Sequence, residues 1–226
     1  MILGFRMLMP HREAFEKYEL VHIPPVASRQ GFWVKPSQCI WEGPAVLRSV
    51  YALSSLYPDS RRLFTSLLGL QNANLQHLIM ETKQFVSDDS IQYIVEVFKE
   101  LEKFLTDKTS PSETSDLSEH NIFPIRTSTD QNRFDCLRGA NQSHIWWIAD
   151  TTHLLRSFEG RVPLLALSVE DVGGLKRLFK FAKVDLRKLS HAVEGNARIL
   201  GFMIPWEAQT TLLRERANSI LRYVWV

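Results

Sequence analysis

The sequence has 226 residues, of which 45% are hydrophobic, 11% aromatic and 23% charged, and its formal net charge is +2. This length suffices for one large domain or two small ones with a real core, and six tryptophans argue against an intrinsically disordered chain. This net charge is too small to indicate nucleic-acid binding by itself, and we do not expect a nucleic-acid partner. No apolar run approaches the roughly 18 to 20 residues of a membrane span.

The two cysteines, Cys39 and Cys136, are too few for a disulfide framework, which favours a reducing compartment. The first ten residues are apolar, but Arg6 interrupts them and no small-residue cleavage site follows, so we expect no signal peptide. We therefore expect an intracellular protein, in the cytoplasm or the nucleus, without a membrane partner.

Residues 1–30 have no settled periodicity and contain two consecutive prolines, so we interpret them as an extended segment. Two short apolar runs follow, residues 32–34 and 38–41, and we expect them to pair as a β-hairpin around a Lys-Pro-Ser turn. Each run contains a tryptophan, Trp33 and Trp41. Core packing is the more common role for such residues, and contact with a ligand or partner is the alternative.

Four stretches between residues 46 and 105 have the spacing of amphipathic helices. They cover residues 46–53, 61–68, 74–86 and 90–105. The last is the clearest, because Asp89 or Ser90 can cap its start and its apolar residues share one face: Ile91, Ile94, Val95, Phe98, Leu101 and Leu105. We therefore expect residues 31–105 to form a helical subdomain that includes the hairpin.

Residues 106–120 are polar and have almost nothing to bury, so we interpret them as a flexible linker and as the first site for a protease. Residues 122–126 then predict a short strand. Pro124 favours an edge position for this strand, because proline lacks the N–H that a central strand uses.

Residues 121–226 are expected to form an α+β subdomain. Residues 144–150 and 162–168 suggest buried strands, although runs this short also fit helices. A capping box at Ser168 opens a helix with five inward residues: Val172, Leu175, Leu178, Phe179 and Ala182. Two more helices are expected, one capped by Asp185 with Leu186, Leu189 and Val193 inward, and one over residues 205–226. The predicted fold class is α+β and mostly helical, with a small sheet of short strands packed by C-terminal helices.

Trp146 and Trp147 are adjacent, so on a strand they must point to opposite faces. If both faces of the strand are covered, both indoles are buried, and we expect both to be mostly buried. If one face is open, the exposed indole becomes a natural contact for a partner.

The sequence contains no catalytic constellation. Cys136, Asp150 and either His144 or His153 have the residue types of a thiol triad, but no nucleophile signature surrounds the cysteine, and a lone cysteine is more often a small hydrophobe. The seven histidines lack metal-ligand spacing. We therefore predict no catalytic residue, no metal and no cofactor.

A basic helical face is expected at Lys176, Arg177, Lys180 and Lys183. Such a face can contact phosphates, but without interleaved aromatic residues a solvated surface is the more common outcome. Lys176 and Lys180 are candidate contact residues, together with Trp33, Trp41 and the Trp146–Trp147 pair.

Several short motifs occur in a defined order along the chain. They are Trp-Val-Lys-Pro-Ser-Gln-Cys-Ile-Trp at residues 33–41, Leu-Tyr-Pro at 56–58, Leu-Phe at 63–64, Phe-Pro-Ile at 123–125, Ile-Ala-Asp at 148–150, Phe-Glu-Gly at 158–160 and Leu-Arg-Lys-Leu-Ser at 186–190. Over most of residues 25–222 this order resembles a region of large fungal proteins related to sacsin and to the plant protein NO VEIN.

In that family the region follows an ATP-binding module of the histidine-kinase/gyrase type. The module needs a magnesium-binding Asn on a helix and an Asp-x-Gly-x-Gly turn, and this sequence has neither. Asp171-Val-Gly-Gly174 lacks the spacing between the two glycines of that turn. No ATP-binding residue of the family can therefore be assigned to this sequence.

The resemblance implies a non-catalytic scaffold or protein-interaction segment of a sacsin-like, chaperone-type, ATPase-linked protein. Its partner would be another protein or the remainder of a larger parent chain. Two alternatives stay open, namely a free-standing interaction domain without an ATPase parent and a divergent enzyme with a thiol site near Cys136.

Overall fold

Short strands dominate the first part of the described chain, and helices with a small sheet follow. The computed structural model describes residues 17–25, 30–130, 133–140 and 145–193. The helix expected over residues 205–226 lies outside these ranges.

The N-terminal strands pair differently from the predicted hairpin. β1 (Val21–Ile23) pairs antiparallel with β2 (Phe32–Val34), and β3 (Cys39–Ile40) pairs parallel with β4 (Tyr51–Ala52). Between β2 and β3 the chain forms a 3-10 turn, Pro36–Gln38, in which the Gln38 side chain accepts the N–H of Lys35 at 3.1 Å. This turn replaces the tight reversal that a hairpin needs, so β2 and β3 pair with other strands.

Residues 46–53, predicted to be helical, instead run through turns into β4. The N–H groups of Leu53 and Ser54 donate to the carbonyls of Ile40 and Trp41, at 3.0 and 2.8 Å, rather than to carbonyls four residues back. Pairing with a distant segment therefore overrides the local helical periodicity here.

The next helices lie close to their predicted positions. A 3-10 turn (Pro58–Ser60) and a π-helix (Arg62–Leu67) precede α1 (Leu75–Thr82) and α2 (Ile91–Phe104). Asn74 caps α1 and Ser90 caps α2, each side chain accepting a backbone N–H at 3.2 Å. The face predicted to be inward on the second helix is buried at Ile94, Val95, Phe98, Leu101 and Leu105, and Ile91 is partly buried.

Glu81, on α1, joins the helices to the N-terminal strands. This carboxylate is 1% exposed and accepts the N–H groups of Arg48 at 2.9 Å and Ser49 at 3.0 Å. The hydroxyls of Ser49 and Tyr93 also donate to it. Burial opposes the ionisation of Glu81, but these hydrogen bonds outweigh burial and hold its pKa below the ordinary value of 4.5.

Residues 106–120, predicted to be a flexible linker, include α3 (Ser115–Glu119). Leu117 is fully buried in the same hydrophobic cluster as Leu101 and Phe179, and Thr114 and Ser118 are also buried. One core therefore extends across this segment, where the sequence suggested two subdomains. Protease sensitivity at residues 106–120 stays a prediction.

A three-stranded antiparallel sheet follows. β5 (Phe123–Arg126) lies between β6 (Cys136–Arg138) and β7 (Leu164–Leu165). The edge position predicted from Pro124 is wrong. Pro124 contributes its carbonyl, which accepts the N–H of Ala166 at 2.8 Å, and pairing with β7 begins at Ile125, so the missing N–H is not needed.

The two strands predicted over residues 144–150 and 162–168 are shorter than expected. The second supplies only β7, and within the first Trp147 and Ile148 form isolated parallel bridges to Leu164 and Lys188. Helix α4 (Thr152–Phe158) connects these regions and is capped by the Thr151 hydroxyl.

The helix predicted after Ser168 is divided at Leu175 into α5 (Val169–Gly174) and α6 (Lys176–Phe181). Ser168 caps α5 as predicted and accepts the N–H of Asp171 at 3.0 Å. All five residues predicted to face inward are buried, so the apolar pattern holds although the helix is interrupted.

The helix predicted from Asp185 is replaced by a 3-10 turn (Asp185–Arg187) and the short α7 (Leu189–Ala192). Leu189 is buried as expected, whereas Leu186 is 82% exposed and Val193 is 37% exposed. The 3-10 turn has three residues per turn, so the 3.6-residue period used in the prediction does not apply there.

The main hydrophobic core combines α1, α2 and α6 with β5 and Trp146. A second cluster lies among the N-terminal strands around Trp41 and Leu53, and a third surrounds Leu164 and Leu189. The described residues belong to a single compact unit. The predicted α+β class, mostly helical with small sheets of short strands, is confirmed.

Candidate functional site

The two N-terminal tryptophans have opposite environments. Trp41 is 4% exposed and packs on Phe64, with the ring centroids 6.2 Å apart. Trp33 is 57% exposed, and its ring lies 5.0 Å from that of His22. The predicted core role therefore suits Trp41, while Trp33 is open to a partner.

Trp33 has one half-buried neighbour across the β1–β2 ladder, and two exposed side chains precede β1. Register pairs it with His22 across the β1–β2 ladder, and Leu20 and Tyr18, just before β1, are 40% and 56% exposed. We call these four residues the hairpin surface.

A shallow apolar groove of about 310 Å³ adjoins β2. Its lining includes Ile23, Phe32, Ile40, Leu47, Tyr51 and Leu56. Phe32 is 38% exposed and meets Tyr51 edge-on, with the ring centroids 5.4 Å apart. The groove gives the N-terminal part a concave apolar site next to the hairpin surface.

Trp146 and Trp147 occupy different hydrophobic clusters. Trp146 is 1% exposed, packs 5.2 Å from the ring of Phe123, and donates its indole N–H to the Gly139 carbonyl at 3.2 Å. Trp147 is half-buried against the cluster around Leu164. The two rings thus pack in different clusters, as strand alternation predicts, with Trp146 fully buried and Trp147 partly buried.

A second cavity, of about 720 Å³, lies where β5, α2, α4 and α5 converge. Arg126 ends β5 and lines this cavity, and its side chain is only 4% exposed. The start of α2 at Ser90 and Ile91 forms another part of the wall, and α4 contributes Arg156. We call it the Arg126 cavity.

The Arg126 cavity is rich in charge. Arg126 Nη2 lies 3.3 Å from Glu159 Oε1, but both Arg126 Nε and Glu159 Oε1 are buried and have no hydrogen-bond partner among the described residues. Asp171 is better satisfied, since it pairs with Lys99 at 2.6 Å and with the capping Ser168. Burial opposes ionisation of Asp171, but these contacts outweigh it and lower its pKa.

Sequence reasoning missed this cavity. Its residues come from four separate elements. The sequence pattern indicated only that Arg126 is the polar end of a short strand. The available signal was an arginine at the end of an otherwise apolar strand, but nothing in the sequence paired it with Glu159.

Residues 76–193 match a family described as "Domain of unknown function (DUF8348)". The match covers just over half of the chain. The chain belongs to this family. No curated protein and no solved structure matched it. The whole Arg126 cavity lies within the DUF8348 stretch, whereas the hairpin surface and the N-terminal groove lie before it.

The basic face predicted on the DUF8348 stretch is present on α6. Lys176 and Lys180 are both exposed, and neither forms an ion pair with another described residue. The N–H groups of Arg177 and Leu178 donate to Glu102 on α2, at 3.0 and 2.8 Å, which fixes the start of this helix. The two lysines remain candidates for contact with an acidic partner.

The residues considered for a thiol site are not joined in the structure. Asp150 accepts the N–H of Ser190 at 3.2 Å and also its hydroxyl, so this carboxylate caps α7. Cys136 is half-buried on β6, His153 is exposed on α4, and no hydrogen bond between described residues links either of them to Asp150. His144 lies outside the described residues.

Among the described residues, no group of three or more His, Cys, Asp and Glu side chains could hold a metal ion. None of the helices in these ranges has the length and apolar character needed to cross a membrane.

Proposed function

We propose that this DUF8348 protein is a non-catalytic interaction domain that binds a protein partner through its N-terminal part. The observation that supports this most strongly is the exposure of Trp33, at 57%, on the hairpin surface. The exposed part of an indole contributes little to the stability of the fold, whereas tryptophan is among the residues that contribute most to protein–protein binding.

The neighbouring groove strengthens the proposal. Binding energy in interfaces concentrates where large side chains enter apolar pockets. The hairpin surface supplies the projecting side chain, and the groove beside Phe32 supplies a concave site for a side chain of the partner. A protein is therefore a better fit to this region than a polar small molecule.

The identity of the partner is a further part of the proposal. The ordered motifs that resemble sacsin-like and NO VEIN-like proteins support a role beside an ATP-binding module, as a scaffold segment of a chaperone-type protein. This part rests on those motifs alone. A free-standing interaction domain is the alternative, and it uses the same surface.

The experiment compares three versions of the full chain as bait: wild type, Trp33→Ala and, as a control, Leu186→Ala. Leu186 is 82% exposed and belongs to neither the hairpin surface nor the groove. Loss of a central tryptophan weakens binding by roughly 30-fold or more. We expect specific partners to be retained by wild type and Leu186→Ala and lost from Trp33→Ala.

Circular dichroism of each variant checks that the fold is intact. Equal capture of the same proteins by all three baits would contradict the proposal. If the specific partners carry a histidine-kinase/gyrase-type ATP-binding module, the sacsin-like part is supported. Specific partners that all lack such a module favour the free-standing alternative.

A further inference from the structure

The buried Arg126 guanidinium has five N–H donors to satisfy. Among the described residues it forms an ion pair with Glu159, at 3.3 Å, and its Nε has no hydrogen-bond partner. Buried arginines normally have their donors satisfied, usually by a bidentate carboxylate, because an unpaired buried charge is costly. Arg126 therefore has donors to offer to a group inside the cavity it lines.

Glu159, in turn, has a buried carboxylate oxygen that lacks a hydrogen-bond donor among the described residues. Its Oε1 is buried and accepts no hydrogen bond from a described residue, although it lies next to a guanidinium. Arg126 Nε and Glu159 Oε1 thus belong to one ion pair on the cavity wall, and neither atom forms a hydrogen bond with a described residue. A bound group that satisfies both must carry an acceptor and a donor close together.

The rest of the wall also contains both signs of charge. Arg156 is exposed within the cavity, and α2 begins there, with the N–H groups of its first turn at its positive end. Glu170 provides a further exposed carboxylate, while Asp171 is occupied by Lys99 and Ser168. A polyanion would be repelled by Glu159 and Glu170, and a simple cation would be repelled by the arginines.

We propose that the Arg126 cavity binds a small amino carboxylate, such as a free amino acid. In this arrangement the ligand's carboxylate accepts from Arg126 and from the start of α2, and its ammonium group donates to Glu159. The volume of about 720 Å³ lies within the range of small-molecule sites and leaves room for a side chain. This inference is independent of the protein-binding role, because the cavity and the hairpin surface share no residue.

The test measures binding to the purified full chain by thermal shift and then by calorimetry. The probes are the individual proteinogenic amino acids, with acetate, methylammonium and inorganic phosphate as single-charge comparisons. We expect at least one amino acid to raise the melting temperature and bind saturably, while the three simple ions do not at the same concentration.

Two substitutions connect this binding to the site. Arg126→Gln removes the charged partner of the ligand's carboxylate, and Glu159→Gln removes that of its ammonium group. Each variant should weaken amino-acid binding by roughly tenfold to a hundredfold. Arg161→Gln is the matched control, because Arg161 is exposed and does not line the cavity. If Arg126→Gln does not fold, Arg156→Gln, at an exposed position in the same cavity, replaces it.

Three results would overturn the inference. The first is the absence of saturable binding by any amino acid. The second is equal binding of acetate or phosphate, which would indicate a plain anion site. The third is full affinity in both Glu159→Gln and the folded arginine variant, which would put the ligand elsewhere.

Discussion

Replacing Glu81 by glutamine should unfold the junction between the helices and the N-terminal strands at a much lower denaturant concentration. Each carboxylate oxygen accepts one backbone N–H and one hydroxyl. Oε1 accepts the N–H of Arg48 and the hydroxyl of Tyr93, and Oε2 accepts both the N–H and the hydroxyl of Ser49. Glutamine has nearly the same shape but replaces one oxygen with an NH₂ group. At that position a hydroxyl can rotate and accept, whereas a backbone N–H cannot.

The expected cost follows from this count. One partly buried N–H loses its acceptor, which costs about 1 to 3 kcal/mol, and the remaining hydrogen bonds lose the assistance of a charge. We expect Glu81→Gln to lower the free energy of unfolding by about 2 to 4 kcal/mol, a large share of the total for a typical domain. Urea unfolding followed by circular dichroism measures it.

The control and the pH dependence make the result specific. Glu119→Gln changes an exposed carboxylate at the end of α3 and should have little effect. The pKa of Glu81 is lowered in the folded state, so its contribution is fully present above the ordinary value of 4.5 and is lost as the pH falls through the lowered pKa. The difference between wild type and Glu81→Gln should therefore narrow in acid. A change below about 0.5 kcal/mol at neutral pH, within the range of an ordinary surface substitution, would refute this reasoning.

Three other predictions concern the core, the cysteines and the chain between α2 and α3. Trp146→Ala should lower the free energy of unfolding in urea by about 3 to 5 kcal/mol, because it empties a fully buried site, and Trp147→Ala should lower it by less. Equal losses would contradict the different burial of the two rings. Burial raises the pKa of Cys39 to about 11, so a thiol reagent near pH 8 should modify Cys136 first and Cys39 only on unfolding, whereas fast reaction of both would show that Cys39 is accessible. Limited proteolysis followed by mass spectrometry should find the first cut before α3, at exposed residues such as Asp107 and Lys108; a first cut elsewhere would show that this stretch is protected.

Local patterns predicted the helices well where one face is continuously apolar. The inward set of α2 and the five inward residues after Ser168 are buried because their 3.6-residue spacing directly reflects contact with the core. The Ser168 cap was also visible, since the capping oxygen and its N–H partner are three residues apart. These interactions are local, so the sequence contains all of their components.

Strand pairing could not be predicted in the same way. β3 lies beside β4 because Leu53 and Ser54 donate to Ile40 and Trp41, more than ten residues earlier in the chain. Local patterns in a single sequence do not indicate which distant carbonyl a given N–H will pair with. The Arg126 cavity could not be predicted for the same reason. Its walls come from four elements, and their convergence depends on the complete fold.

The boundary of the family match also differs from the boundary of the packed structure. Glu81 and Tyr93 lie within residues 76–193, but Arg48 and Ser49, which supply three of the four donors to the Glu81 carboxylate, lie before them. Without those donors a buried carboxylate keeps only the Tyr93 hydroxyl, an arrangement that is costly in an apolar interior. In this chain the DUF8348 stretch therefore depends on the preceding segment for a satisfied core. Because the same segment carries Trp33, a partner bound at the proposed hairpin surface would be attached to the compact unit that contains the Arg126 cavity.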